Sequence, residues 1–326
     1  MTTPTIVVTG AGRMGRGIAM SFAYSGYPVA VLDSEERSGS DFADLQLSVM
    51  NEAESELAFL QGADVVSAEQ AAAIQQWIVV KPKSAGADIL AAADFVFEAV
   101  TETLVIKEST YRWINEFVSP QAIVSSTTST MSPDTLADFL ENSARFCNAH
   151  WLNPAYLMPL VEVCPAAQTA ERTVTRLKAL LERIGKLPVV CKSSPGFIVS
   201  RIQALVLNEA ARLVEEGVAS PDDIDKAIRV GFGVRYANLG ALEFIDWGGG
   251  DILYHASAYL ADNIDDHRFS SPEIVKRNMD GGLNGLRDEQ GFYDYREVDI
   301  DDYRAAKLTG FVRLLQHLDL MPNSAG

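Results

Sequence analysis

The chain has 326 residues, 48% hydrophobic and 22% charged, with 44 acidic against 27 basic side chains, a net charge of −17 and a pI near 4.6. That length predicts about two domains with a sizeable core, and no apolar run reaches the ~18 residues of a membrane-spanning helix. So acidic a surface excludes nucleic acid and anionic membranes as expected partners.

Met1-Thr2-Thr3-Pro4 leads straight into a strand without a basic, then apolar, leader, so a cytoplasmic location is expected. Ile6-Val7-Val8 reads as a buried strand and is followed by Gly10-x-Gly12-Arg13-Met14-Gly15 and a helical run to Tyr24. In this context Gly10 allows a tight turn, Gly12 lets a pyrophosphate approach the backbone, and Gly15 lets helix and strand lie close. A second strand, Tyr27 to Leu32, ends at Asp33, 33−12 = 21 residues beyond the middle glycine. A carboxylate there accepts the adenosine ribose hydroxyls and repels a 2′-phosphate, so the expected cofactor is NAD rather than NADP.

Glu35 to Ala73 reads helical and strongly acidic, with no Lys or Arg between Ser38 and Val80. Strands at Trp77–Val80, Phe95–Val100, Ala122–Ser125 and Arg145–Asn148 then alternate with helices, including Leu104–Phe117 and one opening at Ser132-Pro133. Such alternation predicts an α/β fold with a Rossmann-type doubly wound parallel sheet, whose ligands sit at the carboxyl ends of the strands. Glu98, Glu102, Ser125 to Thr130 and His150 all fall at or just after predicted strand ends, where they are expected to face a nicotinamide. His150 and Glu162, 162−150 = 12 residues apart with Asn153-Pro154 between them, suggest a proton-transfer pair. Cys147, Cys164 and Cys191 are odd in number and set apart in apolar segments, as expected of reduced core thiols, and no metal site is expected. Pro188 to Cys191 closes the sheet and Lys192 to Gly196 marks a boundary, giving a nucleotide-binding domain over 1–192 and an all-helical domain over 193–326. The second domain opens with an amphipathic helix, Phe197 to Glu216, and continues with helices near 238–261 and 303–318.

The Gly10 loop, Ser126-Thr127-Thr128-Ser129, His150-Trp151-Leu152-Asn153-Pro154, Leu160-Val161-Glu162-Val163, Ser194-Pro195-Gly196-Phe197-Ile198-Val199 and Gly291-Phe292-Tyr293-Asp294-Tyr295 together resemble the L-3-hydroxyacyl-CoA dehydrogenase family over nearly the whole chain. Val234 to Glu243 is similar to the lambda-crystallin and L-gulonate dehydrogenase branch. The resemblance implies NAD-linked oxidation of a short-chain 3-hydroxyacyl-CoA such as 3-hydroxybutyryl-CoA, a place in fatty-acid metabolism, and a homodimer formed through the helical domain. It implies His150 as catalytic base, Glu162 as its partner, Ser129 as hydrogen-bond donor to the reacting oxygen, and Glu102 and Lys107 on the nicotinamide side. Asn153 is expected to shape the cofactor end of the site. Ser200 stands where the family has asparagine, at a position expected to touch substrate. In the family the helical segment after the second strand contributes basic and polar contacts to CoA, whereas here that segment is acidic. Two alternatives follow: a dehydrogenase of a free hydroxy acid, of the gulonate or carnitine kind, and a non-enzymatic NAD-binding structural protein. Retention of Ser129, His150 and Glu162 disfavours the latter.

Overall fold

The computed structural model describes residues 3–264 and 267–322. Its contacts divide the chain into two compact units, Met1–Val206 and Leu207–Gly326.

In the first unit, β1 (Ile6–Thr9), β2 (Val29–Leu32), β3 (Ile78–Lys81), β4 (Phe95–Glu98) and β5 (Ile123–Ser126) form a parallel sheet in the order β3-β2-β1-β4-β5. The reversal of strand order between β1 and β4 is the switch point of a doubly wound fold, as expected from the strand-helix alternation. Because successive strand residues point to opposite faces, Ile6 and Val8 pack with Ile18 and Phe22 of α1 (Arg13–Tyr24) and Val49 and Leu57 of α2 (Gly39–Gly62). Val7, Val96 and Val124 pack on the other face with Leu90 of α4 (Gly86–Ala91) and with Tyr111 and Ile114 of α5 (Leu104–Phe117). The acidic segment is two helices rather than one. Asp64 adopts a left-handed conformation, and a Ser67–Gln70 capping box then starts α3 (Ala68–Gln76).

A single parallel bridge, Val124 to Phe146, carries the sheet past the short helix α6 (Pro133–Ala137) into β6 (Asn148–Trp151), β7 (Leu160–Cys164) and β8 (Leu187–Val190), with α7 (Glu171–Arg183) before β8. The strand expected at Arg145–Asn148 thus lies three residues later, since Ser143–Arg145 forms a 3-10 turn. β6 and β7 are antiparallel, a departure from an all-parallel sheet. The connecting residues 152–159 are too few for a parallel crossover, which needs about a dozen or more. α8 (Val199–Glu215) starts two residues later than expected because Phe197 has φ 47°, outside the right-handed helical region.

The second unit contains α9 (Pro221–Ala227), α10 (Val234–Asn238), α11 (Ala241–Gly248), α12 (Gly250–Ile264), α13 (Glu273–Asp280) and α14 (Ile300–His317). Its organising polar group is Asp246 on α11, 2% exposed, which accepts hydrogen bonds from the Phe292 and Tyr293 amides and the Tyr295 hydroxyl. The Gly291-Phe292-Tyr293-Asp294-Tyr295 motif therefore wraps a buried carboxylate within this unit. No helix among the described residues is long and apolar enough to cross a membrane.

Candidate active site

The glycine loop joins β1 to α1 and is shaped by contacts that a side chain would prevent. Gly10 has φ 102°, and a Cβ there would lie 2.7 Å from the Ala99 carbonyl oxygen; at Gly15 a Cβ would lie 1.9 Å from the Gly10 carbonyl oxygen. A Cβ on Gly12 would meet nothing within 4 Å, and Gly12 caps α1 without a side-chain hydrogen bond. The loop thus leaves open space in front of first-turn amides at the positive end of a helix, which is what a pyrophosphate requires. Arg13 is exposed beside this opening, whereas Met14 is half-buried and packs against the core. Arg16, which sequence reasoning passed over, braces the loop by donating to the Ala11 carbonyl at 2.7 Å and to Glu52 of α2 at 2.6 Å.

Asp33 ends β2 as expected, but it is 2% exposed and already engaged. Its carboxylate accepts the Glu35 amide at 3.1 Å and the Arg37 Nε at 2.7 Å. Arg37 is thus held against the carboxylate that is expected to choose between a ribose hydroxyl and a 2′-phosphate.

The strand-end acids separate into an inner and an outer member. Glu98 has no exposed surface and is turned inward, where it accepts from Lys107 Nζ (2.8 and 3.0 Å), the Tyr111 hydroxyl (2.8 Å), the Ser126 hydroxyl (2.7 Å) and the Val100 amide (3.0 Å). Ser125 is likewise internal, donating to the Cys147 carbonyl at 2.6 Å. The expectation that Glu98, Ser125 and Ser126 face the nicotinamide is therefore corrected: the hydrogen-bonding partners that make their burial tolerable all lie inside the fold. Burial, reinforced by the Glu98 charge, pushes the Tyr111 phenol well above its ordinary value, so it serves as a donor. Lys107 is wholly buried too. Its ammonium bridges Glu98 and, at 3.1 Å, the half-exposed Glu102, so it stands behind Glu102 rather than at the open face. Burial alone would raise the Glu102 carboxyl, but the hydrogen bond from Thr128 and the Lys107 charge outweigh it and hold the group below the usual range. The same Glu102 oxygen accepts from the Thr128 hydroxyl and, at 3.2 Å, from the Ser129 amide.

His150 and Glu162 are brought together by register. They are directly opposite in the β6–β7 antiparallel pair, so both side chains leave the same face, and His150 Nδ1 lies 2.6 Å from Glu162 Oε2. An ionised carboxylate only accepts, so in the neutral imidazole the proton of this bond belongs to Nδ1 and Nε2 carries the lone pair. Glu162 Oε1 accepts the Ile198 amide at 2.8 Å and the Val199 amide at 3.0 Å, contacts that residue spacing does not reveal. The Phe197 ring covers the imidazole, with centroids 5.7 Å apart. His150 is 5% exposed and Glu162 has no exposed surface, so the pair sits in a largely dry setting.

The other expected residues are placed less directly. Ser129 is half-buried in the loop after β5, and that loop is tied to β6 by the Asn148 side chain, which donates to the Thr128 carbonyl at 3.2 Å; Ser129 and His150 do not hydrogen-bond to each other. Asn153 is exposed and joined to Pro154 by a cis bond. Ser200 lies in the first turn of α8, half-buried, directly after the amide that meets Glu162. No group of metal-ligating side chains occurs among the described residues.

The family model described as 3-hydroxyacyl-CoA dehydrogenase, NAD binding domain, matches residues 5–194, and that described as 3-hydroxyacyl-CoA dehydrogenase, C-terminal domain, matches residues 196–295. A probable 3-hydroxybutyryl-CoA dehydrogenase from Deinococcus radiodurans is 31% identical over 88% of this chain and 99% of the relative. The lambda-crystallin homolog of Mus musculus is 33% identical over 78% of this chain and 77% of the relative. Among solved structures, a 3-hydroxyacyl-CoA dehydrogenase from Archaeoglobus fulgidus superposes with a TM-score of 0.75 at 29% identity, covering 98% of this chain and all of that one.

Proposed function

This chain belongs to the 3-hydroxyacyl-CoA dehydrogenase family and is an NAD-dependent oxidoreductase, and from that premise we propose that it interconverts a short-chain 3-hydroxyacyl-CoA, such as 3-hydroxybutyryl-CoA, and its 3-oxo form. The observation that carries the reading is the His150–Glu162 pair, with Nδ1 held at 2.6 Å and Nε2 free. Bound NAD supplies the hydride acceptor. The residues of the chain supply the rest. Nε2 of His150 takes the hydroxyl proton, and Glu162 holds the ring in the tautomer that exposes Nε2 and balances the imidazolium that forms. Ser129 donates to the reacting oxygen, and Ser200 lines the substrate side. The Gly10–Gly15 loop and Asp33 hold the dinucleotide, while Glu102, held in place by Thr128 and Lys107, presents a carboxylate to its nicotinamide half; Asn153 borders that end. The test is a panel of 3-hydroxy acids and their CoA thioesters followed by NADH absorbance. Turnover of the thioesters supports the reading, and turnover of free acids alone overturns it.

A second reading, a free hydroxy acid as substrate, is favoured by α2 and α3. Asp41, Asp44, Glu54, Asp64 and Glu69 are exposed there without one compensating Lys or Arg, and burial together with Glu52 pushes Glu56 up to about 7. A polyanionic CoA head gains little from such a surface. The expected result is that kcat/KM for 3-hydroxybutyryl-CoA and for its pantetheine thioester differ by less than about tenfold, ~1.4 kcal/mol. A hundredfold preference for the full CoA ester would mean that basic residues elsewhere grip the phosphates, whereas a free hydroxy acid that outperforms both esters would favour the second reading.

Asp33→Ala is expected to lower the kcat/KM preference for NAD over NADP by at least about tenfold. The change removes a charge-assisted hydrogen bond worth roughly 1.5–3 kcal/mol and frees Arg37 for a 2′-phosphate. An unchanged ratio would show that Asp33 does not select the cofactor.

We also propose that the active form is a homodimer built on the helical unit. The part of α8 in this unit and α14 have no fully buried residue, and Leu207, Tyr259 and Leu308 are more than half exposed, an apolar excess that a second copy would cover. Light scattering is expected to give twice the mass of one chain, and a monomer at micromolar concentration would contradict this.

A further inference from the structure

We infer that the first turn of α8 is a positioning element for the catalytic pair: the Ile198 and Val199 amides orient and partly neutralise Glu162, and thereby set the pH at which His150 acts as a base. The inference rests on the reading of His150 as the base.

Glu162 is a carboxylate without exposed surface, and among the described residues no lysine or arginine forms an ion pair with it. Three donors share its charge. Oε2 faces His150 Nδ1, and Oε1 faces two successive amides, of which Val199 opens a 17-residue helix. The thiols of Cys164 and Cys191 also feel its charge, and both are pushed up by burial, Cys164 to about 12, and are therefore neutral. The amides at the positive end of α8 thus take the place that a cation would otherwise fill.

Two consequences follow from this geometry. The two oxygens are not interchangeable, because only one side of the carboxylate meets backbone donors. The turn Gly196-Phe197, with φ 74° and 47°, aims those donors and also sets the Phe197 ring over the imidazole. In addition, each amide withdraws charge from Glu162 that would otherwise stabilise the imidazolium. Weakening the amide contact therefore strengthens proton retention on His150.

Val199→Pro tests this. Proline is tolerated at the first helical position, where it removes only the N–H. The acid limb of the kcat/KM profile for alcohol oxidation is expected to move to higher pH by about half a unit or more, roughly threefold in rate at a fixed pH on the limb, with the high-pH plateau retained. Val199→Ala, which keeps the amide, is expected to keep the limb in place. A uniform loss at all pH values, or an unmoved limb in Val199→Pro, would overturn the proposal.

Glu162→Gln compared with Glu162→Ala gives an independent answer that stands even where the proline variant does not fold. If α8 orients residue 162, the glutamine oxygen is claimed by the two amides and its NH2 group is turned toward Nδ1. The imidazole is then forced into the tautomer with its proton on Nε2, and Gln is no better than Ala. A Gln variant at least ten times more active than Ala would show that the side chain rotates freely, against the proposal. Activity surviving His150→Gln would instead remove the base assignment, an outcome separate from either of these.

Discussion

His150→Gln is expected to lower kcat by at least about 10²-fold, the scale of a lost general base, while NAD affinity stays within about twofold of the parent, a ratio worth less than ~1 kcal/mol. Glutamine reaches toward Glu162 and preserves the hydrogen bond of β7, but it offers no basic nitrogen where Nε2 stood. The two parts of the expectation come from different parts of the fold. The dinucleotide loop is built on β1 and α1, and it shares no hydrogen bond with His150, which is held by Glu162 on the neighbouring strand. Steady-state kinetics together with calorimetric titration of NAD separates them. Near-normal turnover would mean that another group takes the proton, and a parallel loss of NAD affinity would mean that the substitution has disturbed the fold.

Lys107→Met is expected to cost about 3–5 kcal/mol of stability, the usual effect of removing one partner of a buried ion pair. The methionine fits the space, yet it leaves Glu98, with no exposed surface, supported only by Tyr111, Ser126 and the Val100 amide. The same change should raise KM for NAD, because Glu102 loses the ammonium at 3.1 Å that helps align its carboxylate with Thr128 and Ser129. Denaturant unfolding reads the first effect and initial-rate kinetics the second. A loss below about 1 kcal/mol, within the range of an exposed ion pair, would show that water reaches Glu98.

Much of this was legible along the chain. The glycine loop, the helix it opens and the acid that closes β2 are local features: strand, turn and helix follow one another, and the steric demands at Gly10 and Gly15 come from neighbours a few residues away or on the adjacent strand. The alternation of apolar strands and amphipathic helices likewise sets a doubly wound fold, since each element must bury one face. What the spacing of His150 and Glu162 did not determine was direction. Twelve residues are compatible with several arrangements, and the antiparallel register that sets the two opposite each other depends on the connection at 152–159 and on burial against the rest of the sheet.

The same distinction separates the acids. Glu98 and Glu102 both follow from the end of β4, but only packing of α5 against that strand end turns Glu98 inward to Lys107 and Tyr111 and leaves Glu102 beside Ser129. Arg37 on Asp33, and the α8 amides on Glu162, are likewise invisible to motif and spacing. By itself the sequence determined the residue types available for dinucleotide binding and proton transfer, because those depend on local backbone geometry and side-chain chemistry. Only the tertiary structure decided which partners each carboxylate oxygen takes, because a buried charge draws them from whatever segments the sheet register and helix docking bring within hydrogen-bond distance.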